Sequence, residues 1–259
     1  MQITAPFGYG EIVPLEKHHK VLLPTLTASG GAAPAFVHAL NAMAISFSEF
    51  AVAARDYPIM FSSSDHGKTY APLVVLGLAD RQNLFVDAED RWVAGCYVPA
   101  FVRRYPFCSS TVVVDGVAQA DRLVCIDRAY LDEGGIALFG ADGAPSREWT
   151  ERERLLSEYD ADLAQTARMC TTLAALDLFT PLTLEIRKDA GGGEASRIGG
   201  MFGIDESRFV ALGAEQHKTL VASGISARVY AHLFSLANFA RLNERAVAMR
   251  NRQAALRRA

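Results

Sequence analysis

The spacing of hydrophobic and polar positions changes along this chain, and it predicts where helices and strands lie. Over residues 34–55, apolar residues recur every three or four positions, which predicts an amphipathic helix that Tyr57-Pro58 ends. Residues 146–176 mix charged and apolar positions in the same way and predict a long helix. A final helix is predicted over about 226–250.

Short apolar runs separated by turn residues predict strands in two regions. In the first region the predicted strands are 59–61, 71–78, 84–86, 92–102, 111–114 and 123–126, the last two forming a hairpin closed by Asp115-Gly116. In the second region, 183–187 and 197–204 predict a hairpin joined by Gly191-Gly192-Gly193. Asp205 then predicts the N-cap of a short helix through Leu212.

Together these elements predict an α+β fold, in which a mixed or mainly antiparallel sheet is flanked by several helices, at 34–55, 147–176 and 226–250. No linker marks a boundary, so we expect one domain over 1–259. Its sheet-rich part would cover about 57–130, and its helix-hairpin-helix part about 146–250.

Composition narrows the class of protein further. The chain has 259 residues, half of them apolar and 21% charged, with a net charge of -3. These values are typical of a soluble globular protein and give no reason to expect a nucleic-acid partner. The first ten residues lack the pattern of a signal peptide, and polar residues interrupt the longest apolar region, 32–54. We therefore predict a cytoplasmic protein without a membrane span.

Cysteines, histidines and glycines offer no recognisable cofactor motif. The four cysteines are Cys96, Cys108, Cys125 and Cys170, which we interpret as reduced core residues, with a Cys96–Cys108 disulfide as the alternative. Asp65-His66 supplies only part of a metal site, and His18-His19 indicates a solvated polar patch. His232 is interpreted as a satisfied, partly buried histidine. No metal and no cofactor is predicted.

The arginine-rich tail is interpreted as a solvated helix end. Its arginines are Arg245, Arg250, Arg252, Arg257 and Arg258. They could contact nucleic acid or acidic lipid. The negative end of a helix dipole, however, favours cations at this place without any partner.

Residues 83–107 combine acidic, aromatic and paired basic side chains more densely than the rest of the chain. The predicted ligand-binding residues are Asp87, Trp92, Tyr97, Arg103 and Arg104. Guanidinium groups suit carboxylate or phosphate, and aromatic rings suit an apolar ligand. The alternatives are that an arginine forms a structural ion pair with Asp87 or Asp90, and that the rings are core. Adjacent arginines on a strand face opposite sides, so at most one would reach a shared site.

Several ordered blocks carry a family resemblance. They are Glu11-Ile12-Val13-Pro14-Leu15, Tyr57-Pro58-Ile59-Met60-Phe61, Asn83-Leu84-Phe85-Val86-Asp87, Tyr97-Val98-Pro99-Ala100, Arg103-Arg104-Tyr105-Pro106-Phe107, the segment 200–209 and the closing segment 229–242. In this order and over nearly the whole chain, they resemble the SapC family of bacterial proteins, which is named for a surface-layer association.

The resemblance implies an accessory protein that binds a small-molecule ligand or a protein partner. It implies a link to an uptake or modification system that includes a flavin-dependent halogenase and a TonB-dependent receptor. It carries no catalytic residue set, so an undescribed enzyme acting on a small molecule or peptide side chain stays open. A structural surface-layer role is a further alternative, against which the missing export signal and the cysteines count. A binding role predicts a concave site with Arg103 or Arg104 and aromatic rings, whereas an enzyme predicts a perturbed titratable residue such as Asp87 or His66.

Overall fold

The computed structural model describes residues 2–65, 67–114, 117–186 and 196–256, and over these it has the predicted α+β architecture. Several features predicted from the sequence lie outside the described residues. They are His66, the Asp115-Gly116 turn, the Gly191-Gly192-Gly193 loop, and the tail arginines Arg257 and Arg258.

Most of the strands are two to five residues long. In chain order they are β1 (Gln2–Ile3), β2 (Ile12–Pro14), β3 (Lys20–Val21), β4 (Gly31–Ala32), β5 (Ala42–Ala44), β6 (Ile59–Ser62), β7 (Ala71–Val75), β8 (Arg91–Trp92), β9 (Phe107–Val114), β10 (Val117–Asp127), β11 (Ile136–Ala137), β12 (Phe179–Ile186) and β13 (Ser196–Ile204). Every strand pairing found among the described residues is antiparallel.

The largest sheet has five strands in the order β12-β13-β6-β7-β5. Its central strand β6 is apolar on both faces, with Ile59, Met60 and Phe61 all buried, as expected for a strand covered on both sides. The predicted β12–β13 hairpin is confirmed, with Phe179 opposite Ile204. A four-stranded sheet has the order β1-β9-β10-β2 and confirms the other predicted hairpin. The pairs β11–β3 and β4–β8 form two small sheets.

The α-helices lie mainly in the second half of the chain. In chain order they are α1 (Phe50–Ala53), α2 (Ala100–Arg103), α3 (Arg147–Ala175), α4 (Glu206–Val210), α5 (Ala214–Ala222), α6 (Ile225–Ser235) and α7 (Asn238–Leu256). Two predicted N-termini are confirmed. The Ser146 hydroxyl accepts the Trp149 N–H at 3.2 Å before α3, and the Asp205 carboxylate accepts the Arg208 N–H at 3.0 Å before α4.

The helix predicted over 34–55 is wrong for most of its length. A 3₁₀ turn (Ala35–Ala39), strand β5 and a second 3₁₀ turn (Phe47–Glu49) replace it, and only α1 is α-helical. Met43 and Ile45 are buried while Ala44 between them is exposed, so the burial alternates as in a strand. Pairing of β5 with β7 satisfies the backbone here and overrides the helical spacing.

Two predicted strands between residues 84 and 102 are also wrong. Leu84 and Phe85 are buried, but their backbones make single hydrogen bonds to Leu76 and Val93 instead of a ladder. Within 92–102 only Trp92, the end of β8, belongs to a strand. Helix α2 follows Pro99, which is favourable just before a helix because its φ angle is already fixed.

The predicted final helix is divided into α6 and α7 by polar side chains that bond to the main chain around residues 54–59. The Ser235 hydroxyl donates to the His232 carbonyl at 2.6 Å and accepts the Ile59 N–H at 2.8 Å. The Asn238 amide donates to the Ala54 carbonyl at 2.7 Å and to the Tyr57 carbonyl at 3.1 Å. Among the described residues, every helix is either too short or too polar to span a membrane.

Helix α3 connects two hydrophobic clusters. Its first half contributes Trp149 and Leu156 to a smaller cluster against the four-stranded sheet, while its second half contributes Met169 and Leu173 to the larger one. Tyr159 lies on α3 between these two halves and is buried. Arg104, the second residue of the predicted arginine pair, lies beside Tyr159.

Candidate functional site

Arg104 is a buried cation surrounded by aromatic rings. It follows α2 directly, and its N–H bonds to the Ala100 carbonyl at 3.0 Å. Its side chain is only 8% exposed. The guanidinium carbon lies 4.7 Å from the ring centre of Tyr159, 5.1 Å from that of Phe101 and 5.8 Å from that of Tyr9. Each cation–π contact contributes about 0.5–2 kcal/mol.

The Arg104 guanidinium has no hydrogen-bond acceptor among the described residues. Its Nε is fully buried without a partner, and no carboxylate of the described chain lies within 4 Å. Burying a charge without an acceptor is costly, and protein interiors rarely leave one in that state. The aromatic contacts offset only part of this cost, and the described chain supplies no acceptor for the remainder.

The rings of Phe36 and Tyr105 pack beside those that contact Arg104. We call the whole group the aromatic box; it is formed by Tyr9, Phe36, Phe101, Tyr105 and Tyr159. Ring centres are 4.9 Å apart for Tyr9 and Tyr105, and 5.3 Å apart for Phe36 and Tyr105. Tyr105 and Tyr159 are buried, whereas Tyr9, Phe36 and Phe101 are half-buried. The box therefore has a closed side and a side that reaches solvent.

Gly8 allows the chain to pass close to the box. Its φ angle is +84°, a conformation that glycine adopts without strain. A Cβ atom placed there would lie 2.4 Å from the Phe36 ring. The segment around Gly8 and Tyr9, which was not predicted to contribute to a site, thus forms one wall of the box.

The tyrosines of the box stay protonated at neutral pH. Burial raises the pKa of Tyr159 to about 12, although the Arg104 cation acts in the opposite direction. Burial also raises the pKa of Tyr9, whose hydroxyl donates to the Phe107 carbonyl at 2.7 Å. The Tyr159 hydroxyl makes no hydrogen bond within the described residues, so it remains available as a donor beside Arg104.

Arg103 differs from its neighbour because its hydrogen bonds are made within the chain. Its Nε donates to the Val98 carbonyl at 2.9 Å and its Nη2 to the Tyr97 hydroxyl at 3.0 Å. The proposed ion pair with Asp87 or Asp90 is wrong for both arginines, since neither carboxylate lies within 4 Å of them. The pair is also not on a strand, because Arg103 ends α2 and Arg104 follows it.

Glu49 holds the Arg103 side of α2. Its Oε1 accepts the Tyr97 hydroxyl at 2.9 Å and the Ala100 N–H at 2.7 Å, and its Oε2 accepts both the N–H and the hydroxyl of Ser46 at 2.8 Å. We name Glu49, Ser46, Tyr97 and Arg103 the Glu49 network. Sequence reasoning missed Glu49, although the Ser-x-x-Glu spacing of Ser46 and Glu49 is that of a capping box.

Trp92 is a core residue next to this network. It is 1% exposed, and its Nε1 donates to the Tyr57 hydroxyl at 3.1 Å. The Tyr57 hydroxyl in turn donates to the Tyr97 carbonyl. Trp92 and Tyr97 are therefore connected through Tyr57, away from solvent.

Asp87 lies in a different place from the arginine pair. It is exposed, and its Oδ1 accepts the N–H groups of Glu89 at 3.1 Å and Arg91 at 2.9 Å. It borders a cavity beside α7 that neither Arg103 nor Arg104 lines. The five predicted ligand-binding residues thus occupy three environments, and their role in binding stays a prediction.

The other predicted polar groups are accounted for structurally. The four cysteines are free and buried, as predicted, and Cys108 lies opposite Cys125 across β9 and β10. The Asp65 carboxylate accepts two backbone N–H groups, and hydrogen bonds within its turn lower its pKa to about 2. Glu16, His18 and His19 lie together at the surface, with ligand atoms within 4.8 Å of one another.

These features define an α+β protein of antiparallel sheets with a buried arginine enclosed by aromatic rings. The family model described as SapC matches residues 18–242 of the 259-residue chain, and the chain therefore belongs to the SapC family. Comparisons with curated proteins and with solved structures give no match.

Proposed function

We propose that this protein is a binding protein that holds a small carboxylate-bearing molecule at Arg104. One observation carries the proposal: residue Arg104 is only 8% exposed, its Nε is buried without a partner, and no hydrogen bond from its guanidinium to an acceptor is found among the described residues. A guanidinium offers a planar pair of donors that matches a carboxylate. A ligand carboxylate would therefore supply the hydrogen bonds that the buried cation lacks.

The aromatic box supports an apolar or aromatic body for this ligand. The half-buried rings of Tyr9, Phe36 and Phe101 leave ring surface for a flat partner, and such stacking adds to area burial. The neutral Tyr159 hydroxyl adds a donor next to the cation. An aromatic carboxylate fits this combination of groups.

The chemistry of the box supports binding over catalysis. The carboxylates whose charges act on its tyrosines are Asp127, Glu49 and Asp160, and Asp160 forms an ion pair with Arg122. Asp127 accepts the Gly10 N–H at 2.8 Å, the Tyr105 hydroxyl at 3.1 Å and the Ala129 N–H at 3.1 Å. Glu49 accepts four donors in the same way. Because these three carboxylates are engaged and the phenols are neutral, the box offers donors without a poised base.

A ligand-binding experiment tests this proposal. Benzoate, and indole-3-carboxylate as a larger probe, are expected to raise the melting temperature of the wild type and of Arg103→Met, but not of Arg104→Met. Benzamide has the same shape without the charge and is expected to have no effect on any of the three. The proposal is wrong if the carboxylates shift Arg104→Met as much as the wild type, or if benzamide acts like benzoate.

The family association extends the proposal to partners. We propose that the protein acts as an accessory component of an uptake or modification system with a flavin-dependent halogenase and a TonB-dependent receptor. Affinity capture from the native cell, with mass spectrometry of proteins and small molecules, is expected to recover at least one of these two proteins. If neither protein is recovered, the accessory role is contradicted. The carboxylate-binding proposal is then judged by the ligand-binding experiment alone.

A further inference from the structure

A cavity of about 550 Å³ lies between residues 83–94 and helix α7, separate from the aromatic box. Its apolar wall is formed by Leu84, Val86, Val93, Ala248 and Met249. Its polar groups are Asn83, Asp87, Arg245, Arg252 and Gln253. An apolar recess with a few polar groups, of this size, is typical of sites for small ligands.

Two arginines on one face of α7 give this cavity a cationic wall. Arg245 and Arg252 are seven residues apart, which places them on the same helix face, separated by about 10 Å along the axis. Met249 lies between them on the same face. Arg245 is not the solvated tail residue that the sequence indicated, because it is half-buried and belongs to the cavity wall.

The position of Arg245 is held without any carboxylate. Its guanidinium carbon lies 4.6 Å from the centre of the Phe85 ring, and its Nη2 donates to the Cys96 sulfur at 3.5 Å. Sulfur is a weak acceptor, so the group keeps most of its hydrogen-bonding capacity. Within the part of the chain that the structure describes, no ion pair is found to Arg245 or to Arg252.

We infer that this cavity is a second ligand site, which takes a small apolar monocarboxylate. The carboxylate would bind Arg245 and Arg252, while its hydrocarbon body would lie against Leu84, Val93 and Met249. Charge-assisted hydrogen bonds to guanidinium would fix the orientation of the ligand, and burial of its body would supply the main favourable free energy.

Asp87 selects against ligands with a second negative charge. Its Oδ1 is engaged with the backbone of its own turn, and its carboxylate stands on the wall opposite the arginines. A dicarboxylate that reached the arginines would bring its far end towards this anion, and like charges in close approach are unfavourable. This gives the predicted binding residue Asp87 a specific role that is separate from those of Arg103 and Arg104.

Methyl NMR of the wild-type chain tests the inference at the cavity itself. The six methionines are expected to give separate signals when labelled, and of those that the structure describes only Met249 lines the cavity. Hexanoate is expected to shift the Met249 methyl signal in a saturable way, whereas hexanamide is expected to leave it unchanged. Adipate, a dicarboxylate of the same length, is expected to bind at least about fivefold more weakly than hexanoate, as one unfavourable charge contact allows.

Two surface variants keep the test independent of folding. Arg252→Gln is expected to weaken hexanoate binding by about fivefold, the scale of one partly exposed charged contact. Asp87→Asn is expected to raise the affinity for adipate close to the affinity for hexanoate. The inference is overturned if hexanoate does not move the Met249 signal, if Arg252→Gln binds as the wild type does, or if adipate and hexanoate bind the wild type equally. If benzoate binds at the aromatic box but hexanoate leaves the Met249 signal unchanged, the Arg104 site is supported and the cavity beside α7 is excluded as a ligand site.

Discussion

The two sides of the short helix α2 hold their charges in opposite ways. On one side, Arg103 and Glu49 are bound to Tyr97, Ser46 and the backbone, and every charged group has a partner. On the other side, the contacts found for the adjacent Arg104 guanidinium within the described chain are with aromatic rings. Neighbouring residues of the same type thus differ in how completely they are hydrogen-bonded, and this difference separates Arg103, which holds the fold, from Arg104, which we propose binds a ligand.

The largest effect is expected from removing the carboxylate of Glu49, on the side of α2 where the charged groups have hydrogen-bond partners. Glu49→Ala leaves the Tyr97 hydroxyl and the Ala100 and Ser46 N–H groups without their acceptor in a buried place. We expect a loss of about 3–5 kcal/mol in the free energy of unfolding, because each of these three buried donors that loses its acceptor costs about 1–3 kcal/mol. Urea denaturation measures this loss, with the exposed Glu153→Ala as the matched control.

A loss of less than about 1 kcal/mol, the size of an ordinary surface change, would contradict this view of Glu49. It would mean that water replaces the carboxylate at little cost. The contrast between the two sides of α2 would then disappear.

His232, beside the five-stranded sheet, is another buried polar group whose hydrogen bonds are all made, and it makes the stability of the fold depend on pH. It is fully buried, its Nε2 accepts the Ile204 N–H at 3.0 Å, and its Nδ1 donates to the Ile59 carbonyl at 2.7 Å. Burial lowers its pKa from 6.5 to about 4. The unfolded chain therefore binds a proton at a higher pH than the folded one does, so the stability is complete above pH 6.5 and falls as the pH drops towards 4.

The pKa of about 4 corresponds to a loss of about 3 kcal/mol at the acid end of this range. Chemical denaturation between pH 7 and pH 4 is expected to show a steeper decline for the wild type than for His232→Gln. The difference between the two proteins isolates this histidine from the carboxylates that titrate in the same range. Parallel curves would show that His232 is not held neutral.

The contrast between the two arginines was only partly visible in the sequence. The pair itself, the nearby tyrosines and both long hairpins follow from local composition and period-two spacing. The partners that decide the role of each arginine do not, because Tyr9 and Tyr159 lie 95 residues before and 55 residues after Arg104 in the chain. Packing between such distant segments leaves no periodic signal in a single sequence.

The role of Glu49 could not be predicted from the sequence for a related reason. The apolar spacing of 34–55 predicts a helix, in which Glu49 would be one more polar position. Pairing of β5 with β7 removed that helix, and the capping-box hydrogen bonds then turned the carboxylate inwards. Tertiary pairing overrides a local helical pattern when the strand has a buried partner to bond with.

Replacing each arginine by methionine separates the two sides in the ligand-free protein. Arg103→Met removes hydrogen bonds to the Val98 carbonyl and the Tyr97 hydroxyl and is expected to cost about 2 kcal/mol. Arg104→Met replaces an unsatisfied buried cation by an apolar side chain of similar length, and is expected to change stability by less than about 1 kcal/mol or to increase it. Equal losses in urea denaturation would show that Arg104 has a structural partner.

The smallest and most specific comparison is between two tyrosine hydroxyls. The Tyr97 hydroxyl donates to Glu49 at 2.9 Å and accepts from Arg103 at 3.0 Å, so Tyr97→Phe is expected to cost about 1.5–2 kcal/mol. The Tyr159 hydroxyl has no partner in the described chain, so Tyr159→Phe is expected to stay within about 0.5 kcal/mol of the wild type. If Tyr159 is the spare donor of the ligand site, its substitution weakens benzoate binding while leaving the unfolding curve in place, whereas Tyr97→Phe does the reverse. Calorimetric titration and urea denaturation of both variants give the four values needed, and any variant that changes both quantities together would remove the distinction between the two sides of α2.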